Sequence, residues 1–188
     1  MSDPILQDFP YSFETERLTI RGSLPGDGRL VHEAVVETQE ELVKWMPWAV
    51  EVPDEAWYEV WARNKQIEYL ARKDLQMNLF LKGSQTFVGG GGLHRINWEV
   101  PKFEIGYWVR TSYGRQGYIT EFVNGVTDFA FDTFGAKRVE IRCDSLNERS
   151  AAVARRAGYE LEAILRHHDR HHLTGALRDT LIFTKLRP

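Results

Sequence analysis

The chain has 188 residues, 43% hydrophobic and 27% charged, with a formal net charge of −3; that length fits one domain, 1–188, with a substantial core, and the composition excludes a low-complexity chain. No apolar run approaches the roughly 18 residues that cross a membrane, and Met1 to Leu6 lack the basic-then-apolar pattern of a secretory signal. A single cysteine, Cys143, excludes an internal disulfide, so a cytoplasmic protein with no membrane partner is expected.

Along the chain, Glu16 to Arg21 alternates like a short strand and ends in the turn cluster Gly22 to Gly26. Asp27 to Val36 and Gln39 to Trp45 read as helical, followed by a tryptophan-rich connector punctuated by Pro47 and Pro53. Asp54 can cap a long helix, because Trp57, Val60, Trp61, Asn64, Ile67, Glu68 and Leu70-Ala71 follow mostly at helical spacing. Met77 to Leu81 and Thr86 to Val88 predict strands around the turn Lys82-Gly83-Ser84, and Phe103 to Val109 predicts a third after the loop Asn97 to Lys102. A helix is expected from Tyr118 to Phe134, stopped by Gly135. Arg138 to Cys143 alternates as a strand, Asn147 to Ala157 is helical up to Gly158, and Tyr159 to Ile164 and Thr180 to Thr184 close the chain as strands. This order predicts one mixed sheet flanked by helices.

Charge is unevenly spread. The first 60 residues carry 13 acidic and 4 basic side chains, a net of −9, and the other 128 carry 14 and 20, a net of +6. No basic stripe suggests nucleic acid. The split fits a cationic partner near the first third and an anionic one near the rest, or simply solvated helix faces.

The segment Tyr113-Gly-Arg-Gln-Gly-Tyr-Ile-Thr-Glu121 joins a predicted strand to a predicted helix. Unpaired N–H groups at a helix start carry partial positive charge, and a glycine turn before them lets a phosphate approach. Gly114, Arg115, Gln116, Gly117, Tyr118, Ile119 and Thr120 are therefore candidates to cradle a pyrophosphate, although such turns are often purely structural.

Phe103 to Val109, then this turn, then Cys143-Asp-Ser-Leu-Asn-Glu-Arg-Ser150 leading to Val-Ala-Arg-Arg-Ala-Gly-Tyr159, resembles the GNAT acyltransferases. Thr15 to Arg21, Trp45-Met-Pro-Trp48 and Gly175 to Asp179 match the branch with the RimJ/RimL-type N-terminal acetyltransferases. The resemblance implies an α/β (α+β) fold with a mostly antiparallel central sheet. It also implies acetyl transfer from acetyl-CoA, without a metal, to a primary amine, above all the N-terminal α-amine of a protein or peptide. A monomer or homodimer is expected. Two positions depart from the family pattern. Of the motif Gln/Arg-x-x-Gly-x-Gly/Ala only Gly117 is kept, with Gly114 and Ile119 at the ends and Arg115 displaced by one. The tyrosine that many members carry as general acid is Ala154 here. Other readings are a small-molecule amine acetyltransferase and a coenzyme A-binding module with little catalysis.

Attack on the thioester requires a deprotonated amine, a stabilised carbonyl oxygen and a departing thiolate. An α-amine titrates at about 7.7–8.0 and needs only a weak base, whereas a lysine at about 10.4 demands more. Glu104, on the strand that runs beside the pantetheine in the family, is the first candidate base, or else a charge on an exposed strand face. His94, a residue type suited to proton transfer near neutrality, is the second, or a structural histidine. The resemblance assigns the carbonyl oxygen to backbone amides of Tyr107, Trp108 and Val109, the pantetheine to Asn147 and the acid role to Ser150. Asn147 also suits a helix N-cap, and Ser150 a first-turn serine. Cys143 is expected to pack within its strand. His167 to His172 is read as a loop bordering the acceptor rather than a zinc site, and Trp45, Trp48, Trp57 and Trp61 as core or cleft wall.

Overall fold

A computed structural model describes residues 3–187. Eight strands form one sheet in the order β1-β2-β3-β4-β5-β6-β8-β7. They are β1 (Ser12–Glu14), β2 (Leu18–Gly22), β3 (Leu75–Leu81), β4 (Phe87–Asn97), β5 (Lys102–Val109), β6 (Arg138–Asp144), β7 (Glu160–Arg170) and β8 (Leu177–Leu186). Four helices accompany them: α1 (Gly28–Leu42), α2 (Glu55–Leu70), α3 (Tyr118–Phe134) and α4 (Glu148–Arg156). Every pairing is antiparallel except β5 with β6.

The sheet is buried on both faces at its centre. Leu79 and Val88 belong to the cluster that includes Phe122, Val126 and Ala130 of α3. Their neighbours Phe80 and Phe87 turn the other way, toward Val31, Val35 and Tyr58 of α1 and α2. Alternate residues on a strand point to opposite faces, so both faces of β3 and β4 must be apolar and covered by helices.

Several boundaries differ from the sequence reading, each for a physical reason. The two predicted helical pieces before Trp45 are one helix, α1, because no glycine or proline separates them and Thr38 is buried on its inward face. The strand predicted at Thr86 to Val88 runs on through four glycines to Asn97. Those glycines hide the alternation, yet the strand needs them. A Cβ on Gly89 would stand 2.4 Å from the Trp108 carbonyl oxygen, and one on Gly91 2.6 Å from the Phe122 ring. The short β1, too polar to show a pattern, was not predicted. His167 to Arg170 is strand rather than loop: β7 continues to Arg170 through a register shift after Leu165, with His167 at φ +49°. Trp57 neither fills the core nor lines a cleft, being half exposed on the outside of α2.

The predicted caps hold. Asp54 Oδ1 accepts from Trp57 N–H at 2.9 Å, Asn147 Oδ1 from Ser150 N–H at 3.0 Å, and Gly135 ends α3 at φ +62°.

Candidate active site

β5 and β6 pair only where Lys102 to Glu104 meet Arg138 to Glu140. Beyond that β5 follows β4 to Val109, while β6 follows β8 to Asp144. The two strands therefore part, and backbone groups of β5 from Ile105 onward have no partner strand on that side. A cleft of ≈ 230 Å³ occupies the opening, lined by Gly106 and Tyr107 of β5, Arg142 and Cys143 of β6, and Asn147 and Ser150 at the start of α4. Trp45 and Met46 close one end, and His168, Asp169 and Arg178 of the β7–β8 hairpin form another wall. His168 and Asp169 of the histidine run thus border the cleft. No group of three or more metal-ligating side chains converges among the described residues.

Where β5 ends, one turn of 3-10 helix (Thr111–Tyr113) leads into the glycine turn. Arg115 and Gly117 both take left-handed conformations, at φ +61° and +83°. This geometry leaves the N–H groups of residues 115 to 120 without an acceptor among the described residues. Six consecutive free amides at a helix N-terminus have the geometry to cradle an anion. Gly114 is in ordinary extended backbone, so Gly117 is the position that requires glycine. Ile119 is 9% exposed and packs into the core, so the bulk that departs from the family motif points away from the cradle. Arg17 was not legible as part of this turn: its Nη1 donates to the Gln116 carbonyl at 3.0 Å, and its guanidinium lies over the Tyr118 ring. The Trp108 side chain turns away toward Phe87 and Trp48, leaving only its backbone to the cleft side.

Within the cleft, the Tyr107 hydroxyl lies 2.9 Å from Ser150 Oγ and 3.2 Å from the Ser150 carbonyl oxygen. Burial pushes the Tyr107 phenol well above its ordinary value, so it stays protonated at neutral pH. Burial also raises the Cys143 thiol, which lines the cleft and belongs to the core at once. A protonated, buried thiol is a poor nucleophile.

Glu104 lines the cleft with its carboxylate 3.4 Å from Arg95 and 3.3 Å from Arg142. His94 pairs with Glu104 across β4 and β5, and its ring lies over Gly106, where a Cβ would come within 3.2 Å of Nε2. It stands beside the cleft rather than in its wall. His94 Nδ1 is 2.8 Å from Asp74 Oδ2, and Asp74 is also 3.5 Å from Lys65. Burial opposes the charge on Asp74, but His94 and Lys65 prevail and hold its carboxyl below the usual range. An ionised Asp74 accepts a hydrogen bond from Nδ1–H, which in the neutral imidazole leaves Nε2 as the acceptor. Sequence alone gave no sign of Asp74, which lies in a turn 20 residues from His94.

A family model described as the acetyltransferase (GNAT) domain matches residues 17–160. The chain belongs to the GNAT acetyltransferase family. It is an acetyltransferase of the type that takes its acetyl group from acetyl-CoA. Among curated proteins it is 29% identical over 174 residues, 92% of each chain, to the putative ribosomal N-acetyltransferase YdaF of Bacillus subtilis (strain 168). The uncharacterized N-acetyltransferase YoaA of the same organism is 22% identical over 120 residues, 64% of this chain and 67% of that one. Among solved structures, the Microcin C7 self immunity acetyltransferase MccE, in complex with acetyl-CoA and AMP, superposes with a TM-score of 0.85. It is 21% identical, covering 95% of this chain and 98% of that one. RimL, the ribosomal L7/L12 alpha-N-protein acetyltransferase, in complex with coenzyme A, gives 0.82 at 20% identity, covering 94% and 96%. These two likenesses concern the fold.

Proposed function

We propose that this GNAT acetyltransferase acetylates the N-terminal α-amine of a protein or peptide. The observation that carries the reading is the open cleft between β5 and β6, with a proton-accepting group beside one end and a proton-donating pair within it. The name of the 29%-identical relative, a putative ribosomal N-acetyltransferase, supports an acceptor of this class.

The free amides of residues 115 to 120 and the side chain of Arg115 would hold the pyrophosphate of acetyl-CoA. The unpaired edge of β5 at Tyr107 to Val109 and the side chain of Asn147 would hold its pantetheine. Bound there, the thioester supplies an activated acetyl group. Glu104 draws the acceptor ammonium into the cleft. His94 Nε2, oriented by Asp74, takes its proton through a water. Backbone N–H groups of β5 stabilise the charge on the carbonyl oxygen. The Ser150 hydroxyl gives its proton to the departing sulfur, and the Tyr107 hydroxyl, 2.9 Å from Ser150 Oγ, donates to the oxygen left behind.

A mass-spectrometric screen of free-amine peptides, their lysine-only counterparts and small amines tests the acceptor class. Acetylation of the α-amines is expected, and turnover confined to small amines would sink the reading. For the base, His94→Gln should lower kcat/KM about 10²-fold at pH 7. The deficit should shrink above pH ~8, where the α-amine is already deprotonated. A loss independent of pH would return His94 to a structural role.

A further inference from the structure

The outward face of α2 carries an apolar stripe that the rest of the chain leaves uncovered. Trp57, Val60, Ile67 and Leu70 are 49%, 58%, 63% and 50% exposed. Tyr58, Ala62 and Tyr69 fill the inward face of the same helix. Spacings of three and four put the exposed set on one line, with Arg63 and Asn64 at its middle. Isolated exposed apolar residues are ordinary, but four large ones aligned along one helix mark a surface that meets something.

We propose that α2 is the face through which two copies of this chain associate, each α2 packing antiparallel against the other about a two-fold axis. A two-fold contact requires a patch complementary to itself. Turning α2 end for end about the midpoint between Arg63 and Asn64 sets Trp57 opposite Leu70 and Val60 opposite Ile67. The same operation sets Asp54, with Glu55 beside it, opposite Lys73. All three charged residues are exposed, and none forms a salt bridge among the described residues. Antiparallel packing also brings the positive N-terminal end of each helix to the negative C-terminal end of the other. A membrane surface would call for basic flanks, whereas here the two ends carry opposite signs. The contact is small. A helix of 16 residues is about 24 Å long, and one helix pair buries less than the ~800 Å² per partner of a standard interface. The dimer is therefore weak and reversible.

Sedimentation equilibrium of the full chain from about 1 to 300 µM tests this, and a dissociation constant on the order of 10 µM is expected for so small an interface. Ile67→Glu should weaken association more than about tenfold, which is ~1.4 kcal/mol, with an unchanged melting temperature because the site is exposed in the monomer. Glu55→Lys and Lys73→Glu should each weaken self-association. An equimolar mixture of those two variants should form a heterodimer tighter than either homodimer, because one charge pair is then native and the other restored with opposite sign. Overturning results are a monomer at every concentration, a dimer unaffected by Ile67→Glu, or a mixture no tighter than its separate components.

Discussion

The Tyr107 hydroxyl lies within hydrogen-bond distance of both Ser150 Oγ, at 2.9 Å, and the Ser150 carbonyl oxygen, at 3.2 Å. Burial keeps the phenol protonated, and with its proton turned to Ser150 Oγ the Ser150 hydroxyl is free to give its own proton elsewhere. Ser150→Ala should lower kcat at the low end of the 10²–10⁴-fold typical of acid catalysis, since a thiolate with a pKa near 8.5 needs little help to leave. Acetyl-CoA affinity should barely change, because the Ser150 N–H still bonds Asn147. Tyr107→Phe should cost less, about tenfold, since Ser150 keeps its hydroxyl. Single-turnover rates and equilibrium binding separate the two effects. Wild-type turnover in Ser150→Ala would leave that residue as a plain first-turn serine.

The junction between β2, the glycine turn and α3 is where backbone geometry becomes a binding site. Gly117 sits at φ +83°, which a β-branched residue adopts only under strain of about 1–3 kcal/mol. Gly117→Val should fold, melt a few degrees lower and lose its response to acetyl-CoA. The wild type should gain about 2.7 kcal/mol of stability at a hundredfold excess over Kd. Equal ligand-induced shifts in thermal melts would remove the turn from the site. Glu121 pins this junction by accepting from the Thr15 hydroxyl at 2.6 Å and from the Arg17 N–H and Nε, each at 2.7 Å. Burial works against its charge, but those donors prevail and depress its pKa. A folded pKa below the unfolded one gives stability that is complete above the ordinary carboxylate range, about 4.3, and lost as pH falls through the folded value. Glu121→Gln should therefore lower the melting temperature at pH 7 by about 3–6 °C, on the order of 1.5 kcal/mol for charge-assisted bonds. The gap from wild type should close toward pH ~3; a gap of the same size at both pH values would mean that its charge stabilises nothing.

Across the whole molecule, the acidic first third steers less than its net charge suggests. Glu33 is paired with Arg29, Glu37 with Arg110, and Glu41 with Lys44 and Arg149. Neither these three nor Glu40, Glu51, Asp54 and Glu55 line the cleft, whose own charges alternate between Arg95, Arg142, Arg178 and Glu104, Asp144, Asp169. Exposed charges beyond a screening length of about 8 Å at physiological salt contribute little. Peptides matched in all but the sign of the residues after the free amine should then differ in kcat/KM by less than about threefold at 0.15 M salt. A strong, salt-sensitive preference for basic peptides would show that the acidic helices reach the acceptor after all.

The residue pattern alone determined the mixed sheet, the caps at Asp54 and Asn147, the left-handed stop at Gly135 and the turn ending in Gly117. Each depends on neighbours close in the chain, where periodicity and glycine conformation are written directly. The resemblance of its motifs reached the GNAT family for the same reason, since strand, turn and helix stand in sequence order. Other features depend on which segments meet in space. The length of β4 was hidden because glycines chosen for close approach to Trp108 and Phe122 carry no alternation. Asp74 reached His94, Arg17 reached the glycine turn, and Arg95 and Arg142 reached Glu104 only through strand pairing. The local pattern of α2 reads as an ordinary amphipathic helix with aromatic core. Only the packing of Tyr58, Ala62 and Tyr69 inward decided that Trp57, Val60, Ile67 and Leu70 face out, because a helix buries one side and the tertiary structure chooses which.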